Sequence, residues 1–271
     1  MVEFVVVFDI DLKYDENSEY KISAEGISNL EEVCRLSDGL VLSSLLGGIC
    51  RDASASQAIE IIGGLKSFFS ERGVRVYSVM DRSDACIPKH NFMNAFGSSP
   101  RYRAVDVFDY RFIFLDTLIS NPEAPYSFDD ADGRHCIDEE QLMWLSRLLE
   151  RSHRRAVIIS DVPIFLPDDM NGPCLENGKE LRGVLEKSNK CALVVSRGDS
   201  TEHHFVSNSI PYIFIPHNAD GFSCSRVSAS SQKIDVTASD ARNSFTMRLA
   251  HEESDNQKVP FLKRLFGISG K

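Results

Sequence analysis

The chain has 271 residues, 42% of them hydrophobic, and a formal net charge of −10. That length can bury a sizeable core, and the acidity excludes nucleic acid as the main partner, since phosphate backbones demand clustered Lys and Arg. No apolar run approaches the ~18 residues of a membrane helix. Val2 to Phe8 is too short for a secretory leader and runs straight into acidic residues. The seven cysteines are odd in number, widely spaced and free of any CxxC. They fit neither a disulfide framework nor a zinc knuckle, and imply an intracellular, reducing compartment.

In chain order, Val2 to Phe8 reads as an apolar strand ending in Asp9-Ile10-Asp11, two carboxylates at i and i+2. Ile27 to Leu36 predicts a short helix capped by Ser28 or Asn29. Leu40 to Leu42 predicts a second buried strand. Ser54 to Glu71 is a helix with Ala58, Ile61, Ile62, Leu65, Phe68 and Phe69 inward, ended by Gly73. Val74 to Met80 predicts a third strand, running into the polar turn Asp81-Arg82-Ser83-Asp84. His90 to Phe96 reads as helix. This β-α-β-α-β order implies a largely parallel sheet.

Arg103 to Phe108 and Tyr110 to Leu115 then alternate around Asp109 as a hairpin, followed by a polar loop from Ile119 to His135. Asp138 predicts a helix N-cap, with Gln141 reaching back as in a capping box and Ile137 and Leu142 as a staple. Leu142, Leu145, Leu148 and Leu149 recur at helical spacing. Arg151, His153, Arg154 and Arg155 follow, where cations suit a helix C-terminus. Ala156 to Ile159 is a strand buried on both faces. Ser160-Asp161-Val162-Pro163 then stands at its carboxyl end, where open α/β sheets place their chemistry. A helix from Glu176 to Lys187, a strand from Ala192 to Ser196 and further β-like runs (Ile210 to Ile215, Phe222 to Val227, Ile234 to Thr237, Ser244 to Ala250) complete the pattern. The implied fold is α/β: a four-layer α-β-β-α sandwich of two mixed sheets. Residues 1–250 form one domain and 251–271 a C-terminal tail.

Five strand ends finish in polar loops, and their series resembles the calcineurin-like metallophosphoesterases, most nearly the cyclic-nucleotide phosphodiesterase and purple-acid-phosphatase-like branch. The similarity spans about Val2 to Ala250. Phe8-Asp9-Ile10-Asp11-Leu12 falls on the family's "SDiHl", and Asp38 to Leu45 on "DlvvlsGD". Asp81 to Asp84 falls on "GNHD", and Gln141 to Leu145 on the "QlxWL" helix. Ser160 to Pro163 falls on "SHxP", and Ser196 to Asp199 with Ser200 and Thr201 on "GHtH". Phe112 to Thr117 matches a recurrent strand.

In the family these loops hold two metals that activate a water and clamp a phosphate. The resemblance implies that here the metal positions are degenerate. Asp9 is retained, whereas Asp11, Asp161, Asp199 and Thr201 replace histidines. Leu45 replaces the bridging carboxylate, Arg82 the ligating Asn, and Ser83 the His that assists the leaving group. Two readings follow. In the first, the dinuclear site is lost and the protein is a non-catalytic binding or structural subunit of another protein or assembly, as the same fold is in the retromer scaffold subunit. It then needs no cofactor, and Arg82 enters the vacated pocket to pair with the carboxylates. In the alternative, the chain is an active metal-dependent phosphoesterase whose rebuilt carboxylate set (Asp9, Asp11, Asp161, Asp199) holds one divalent cation, Mg, Mn or Ca.

Among spare groups, His90 is the candidate acid or base, and His203, His204 and His217 are candidate replacement ligands. Asp9-Ile10-Asp11 with Asp129-Asp130 also resembles the haloacid-dehalogenase phosphatases, in a poorer context. Lys258 to Lys271, apolar and basic, is a frayed or packed tail, with peripheral contact to a partner or an anionic membrane as its other use.

Overall fold

The computed structural model describes residues 1–8, 24–37, 43–46, 54–97, 101–119, 121, 123, 125, 135–168, 172–198, 204–216, 222–239 and 241–249. Their first half alternates strand and helix: β1 (Val2–Phe8), α1 (Ala24–Leu36), β2 (Ser43–Leu46), α2 (Ala55–Glu71), β3 (Val76–Val79) and α3 (Lys89–Ala95). The hairpin β4 (Arg103–Val107) and β5 (Tyr110–Phe114) leads to α4 (Glu139–Glu150), β6 (Arg155–Ser160), α5 (Gly178–Ser188) and β7 (Cys191–Gly198). The rest is β: β8 (His204–Ser207), β9 (Ile210–Pro216), β10 (Ser223–Ala229), β11 (Lys233–Ala238) and β12 (Phe245–Arg248).

Two six-stranded mixed sheets result. Their orders are β12-β11-β10-β1-β2-β3 and β4-β5-β6-β7-β9-β8. In the first, β1, β2 and β3 run parallel; in the second, β5, β6, β7 and β9 do. The period of two along each strand sorts the core. Phe4 and Val6 of β1 meet Phe112, Val157, Ile159 and Val195 between the sheets, and Phe4 packs edge-on against Phe112 at 5.0 Å. Val5 and Val7 face α1 and α2, against Leu30, Val33, Ile62 and Leu65. On the outer face of the second sheet, Ile158 and Val194 meet Leu145, Leu149, Leu181 and Leu185 of α4 and α5. The four-layer α-β-β-α sandwich is therefore the observed architecture.

Several boundaries differ from expectation. Helix α1 starts at Ala24, so Ser28 and Asn29 are helical residues and not caps. The buried Gly26, Leu30 and Val33 carry its inward stripe one turn further back. Strand β2 occupies Ser43–Leu46, inside the expected polar loop. Its backbone pairs with Val5 to Phe8 on one side and Val76 to Val79 on the other, and this ladder sets the strand in spite of two serines. Residues 40–42 lie outside the described set. The four-residue edge strand β8 was not expected; Asn208 and Ser209, both at positive φ, turn it tightly into β9. Helix α2 carries a full capping box between Ser54 and Gln57. Among the described residues no helix is long and apolar enough to cross a membrane.

Candidate functional site

The carboxyl ends of the parallel strands of both sheets come together at one edge. Beyond β3, Asp81 caps a short 3-10 turn, Arg82–Asp84. The Asp84 amide donates to Asp81 Oδ1 at 3.2 Å and the Asp81 amide to Asp84 Oδ2 at 3.3 Å, so the two carboxylates hold the turn reciprocally. Both are fully buried. From the facing sheet, Arg197 Nη1 in β7 reaches Asp81 Oδ2 at 2.8 Å. Asp161, directly after β6, is completely buried, and Ser160 before it donates to the Val162 carbonyl at 2.7 Å.

His135 is the further member. Burial holds its pKa below the ordinary imidazole value, and the Arg197 and Arg82 guanidiniums push the same way, against its bond to the Thr117 backbone and the Asp81 charge. Its sequence context, the last residue of a long polar loop, gave no sign of this. The segment after it is fixed by structure: Cys136 Sγ donates to the Ile119 carbonyl at 2.8 Å, and Glu176 N to the His135 carbonyl at 2.9 Å.

Behind this edge lies a second polar cluster. Asp116, following β5, accepts from buried Lys89 at 3.0 and 3.1 Å and from Arg101 at 2.8 Å. Arg101 also grips Asp138, and Lys89 donates to the Leu118 and Pro125 carbonyls. Asp138 caps α4 as expected, accepting from Gln141 N at 2.8 Å. The reciprocal half of that capping box does not form. Gln141 instead turns its amide to Asp116, accepting from its N–H and donating to its carbonyl, each at 2.9 Å. The backbone of a buried strand end needs both of those partners, and the one amide group of Gln141 supplies them together.

Of the expected site residues, Asp161 stands at the strand-end edge. Arg82 is also there, but its side chain is exposed. The arginine that binds Asp81 is Arg197, for which no role was expected. Leu45 lies within β2, paired with Val7 and Ser78, not in a loop; its side chain and that of Ser83 are outside the described set. So are Asp9, Asp11, Asp199, Thr201, His203, His217, Asp129, Asp130 and residues 251–271. His90 is exposed on α3, where Lys89 is the residue turned inward. His204 stacks face to face on Phe245 at 5.1 Å, a packing contact between the edge strands of the two sheets.

A two-metal centre needs several convergent N or O donors and a bridging carboxylate. Among the described residues no group of three His, Cys, Asp or Glu is placed to hold an ion. Asp81 is engaged by Arg197, and Asp84 by the turn it caps. Of the four carboxylates expected to hold a cation, Asp161 is described, and Asp9, Asp11 and Asp199 lie outside the described residues.

The layered sandwich with its polar strand-end edge is the fold of the calcineurin-like metallophosphoesterases. It superimposes on a dimetal phosphatase from Danio rerio with a TM-score of 0.66 and 13% identity, covering 92% of this chain and 99% of that one. GAP50, described as the anchor in the inner membrane complex of Plasmodium, gives 0.60 and 13%, covering 99% and 95%. The purple acid phosphatase PPD1 of yellow lupin gives 0.55 and 10%, covering 91% of this chain and 53% of its own. No protein-family profile and no curated protein sequence matches the chain.

Proposed function

We propose that this chain is a metallophosphoesterase-fold protein that has given up the dinuclear site and serves as a non-catalytic binding or structural subunit. The observation that carries the reading is the Arg197–Asp81 pair. It places a permanent guanidinium charge at the strand-end edge, with the Arg82 charge also felt there by His135. A fixed cation at that edge repels a divalent ion, and it neutralises one of the buried carboxylates there. The likeness to GAP50 over nearly the whole of both chains supports the reading, because that protein is described as an anchor. The second reading, an active phosphoesterase with one cation on carboxylates, draws on fully buried Asp161 and on the likeness to a dimetal phosphatase.

Metal analysis of protein purified without chelator, joined to turnover of bis-p-nitrophenyl phosphate with Mn, Mg or Ca, separates them. The expected result is no stoichiometric divalent metal and no metal-dependent turnover. Turnover that needs metal and vanishes in Asp9→Ala would sink the non-catalytic reading.

A further inference from the structure

Helix α4 has two faces. Gln141, Leu145 and Leu149 are buried against its own sheet. A second stripe follows the same helical spacing: Met143, Arg147 and Arg151 are exposed, and Trp144 and Leu148 between them are half-buried against the core, each with part of its surface open. With Tyr102 and Arg111 it lines a surface groove of about 570 Å³. Tyr102 lies 4.7 Å from Trp144, ring centre to ring centre, so a paired aromatic floor runs under the groove. Met143, 44% exposed, adds an apolar side chain to the lining.

The charge of the groove contrasts with the rest of the chain. Three arginines and one glutamate line it, in a protein of net charge −10. Arg111 is held by Asp106 at 2.6 and 2.9 Å, and Glu140 is tied to Tyr102. Arg147 and Arg151, by contrast, have no ion pair among the described residues and stand exposed beside Trp144 and Leu148. Aromatic anchors rimmed by unpaired arginines are the composition of a protein-recognition surface.

We infer that this groove docks an acidic amphipathic helix of another protein, with apolar side chains seated on Tyr102, Trp144 and Leu148 and carboxylates on Arg147 and Arg151. From Glu140 to Arg151 the stripe is about 16 Å long at 1.5 Å per residue, which matches three helical turns. A second copy is a poor occupant, because a two-fold contact sets arginine against arginine. An anionic membrane is also disfavoured, since the binding face is concave and the chain as a whole is acidic. The groove lies outside the strand-end edge, so it would serve an active phosphoesterase as well as a non-catalytic subunit.

Trp144 is the single tryptophan of the chain, so its emission reports on the groove alone. The test titrates the full chain with a synthetic peptide of about 15 residues, Leu and Phe at helical spacing and Glu between them. A saturable change in emission is expected, weakened by salt and weakened about tenfold or more in Arg147→Glu/Arg151→Glu, whose exposed positions leave the fold and thermal midpoint unchanged. Equal binding of a peptide with Lys in place of Glu overturns the inference. So does unchanged affinity in the double variant, or no emission change up to about millimolar peptide. Sedimentation as a dimer that Arg147→Glu dissociates assigns the groove to a second copy instead. Binding to phosphatidylserine vesicles but not to the acidic peptide assigns it to a membrane.

Discussion

Arg197 and Asp81 bridge the two sheets at 2.8 Å, the arginine in β7 of one and the aspartate at the end of β3 of the other. The aspartate is buried, while the arginine side chain is 24% exposed. Arg197→Met takes the guanidinium from a buried carboxylate and should cost about 2 kcal/mol in urea unfolding, less than a fully buried pair because the arginine touches water and the Asp84 amide still donates to Asp81. A loss near zero would mean that another cation replaces it.

The same substitution should move His135. Burial holds this imidazole below its ordinary value, with the Arg197 and Arg82 charges adding to the effect. The folded protein therefore takes up the proton later than the unfolded chain as pH falls. Stability from the neutral imidazole is complete above the unfolded value of 6.5 and is lost as pH drops through the folded one. An NMR titration should find the His135 transition below 6.5 and find it raised in Arg197→Met. His135→Phe should flatten the stability profile below pH 6.5. An unshifted transition in Arg197→Met would break the link between the two residues.

Gln141 holds both backbone groups of Asp116. Gln141→Ala leaves a buried N–H and a buried carbonyl without these partners, so a loss of about 3 kcal/mol is expected. Gln141→Glu keeps the acceptor but loses the donor and adds a charge beside Asp116 and Asp138, so it should be at least as costly. Chemical denaturation of the three proteins checks the order. A Gln141→Ala protein as stable as the parent would reduce the bond to an accident of packing.

Much of this fold is written locally. Alternation in Val2 to Phe8 sorts Phe4 and Val6 from Val5 and Val7 before any partner is known, and the spacing of Leu145 and Leu149 does the same for α4. The strand-end edge was legible from polar residues recurring just after apolar runs. What was not legible depends on partners distant in the chain. Gln141 satisfies a residue 25 positions away, so its sequence position three after Asp138 pointed to the wrong bond. Arg82 is adjacent in sequence to Asp81, yet Arg197 across the sandwich is the one seen to bind it. His135 carries no local signal, because its environment is built from β5, β7 and the turn after β3.

Lys89 shows how much charge the interior carries away from the strand-end edge. It is 3% exposed and meets Asp116 at 3.0 Å, with Arg101 on the same carboxylate at 2.8 Å. Burial lowers its pKa even with Asp116 beside it. Lys89→Met leaves Asp116 with one cation in place of two and frees the Leu118 and Pro125 carbonyls. A loss of about 3 kcal/mol is expected. The double variant Lys89→Met/Asp116→Asn should recover part of it, because Arg101 then faces the single carboxylate of Asp138 in place of two. Strict additivity of the two changes in a double-mutant cycle would deny the coupling.

Gly198 closes β7 at the start of the last strand-end loop. A Cβ there would lie 2.6 Å from Phe214 Cβ on the neighbouring strand β9. Both residues sit in a fully paired ladder, so neither backbone can step aside cheaply, and Phe214 is itself 1% exposed. Gly198→Ala should therefore cost about 2 kcal/mol by overpacking. The glycine of the "GHtH"-like stretch then has a packing role that persists whatever chemistry follows it. Phe214→Gly in the Gly198→Ala background, which takes away the Phe214 Cβ itself, should remove the clash but open a cavity, so the double variant tells the two costs apart. If Gly198→Ala is as stable as the parent, the approach of β7 to Phe214 is looser than the structure has it, and the glycine is kept for the loop that follows.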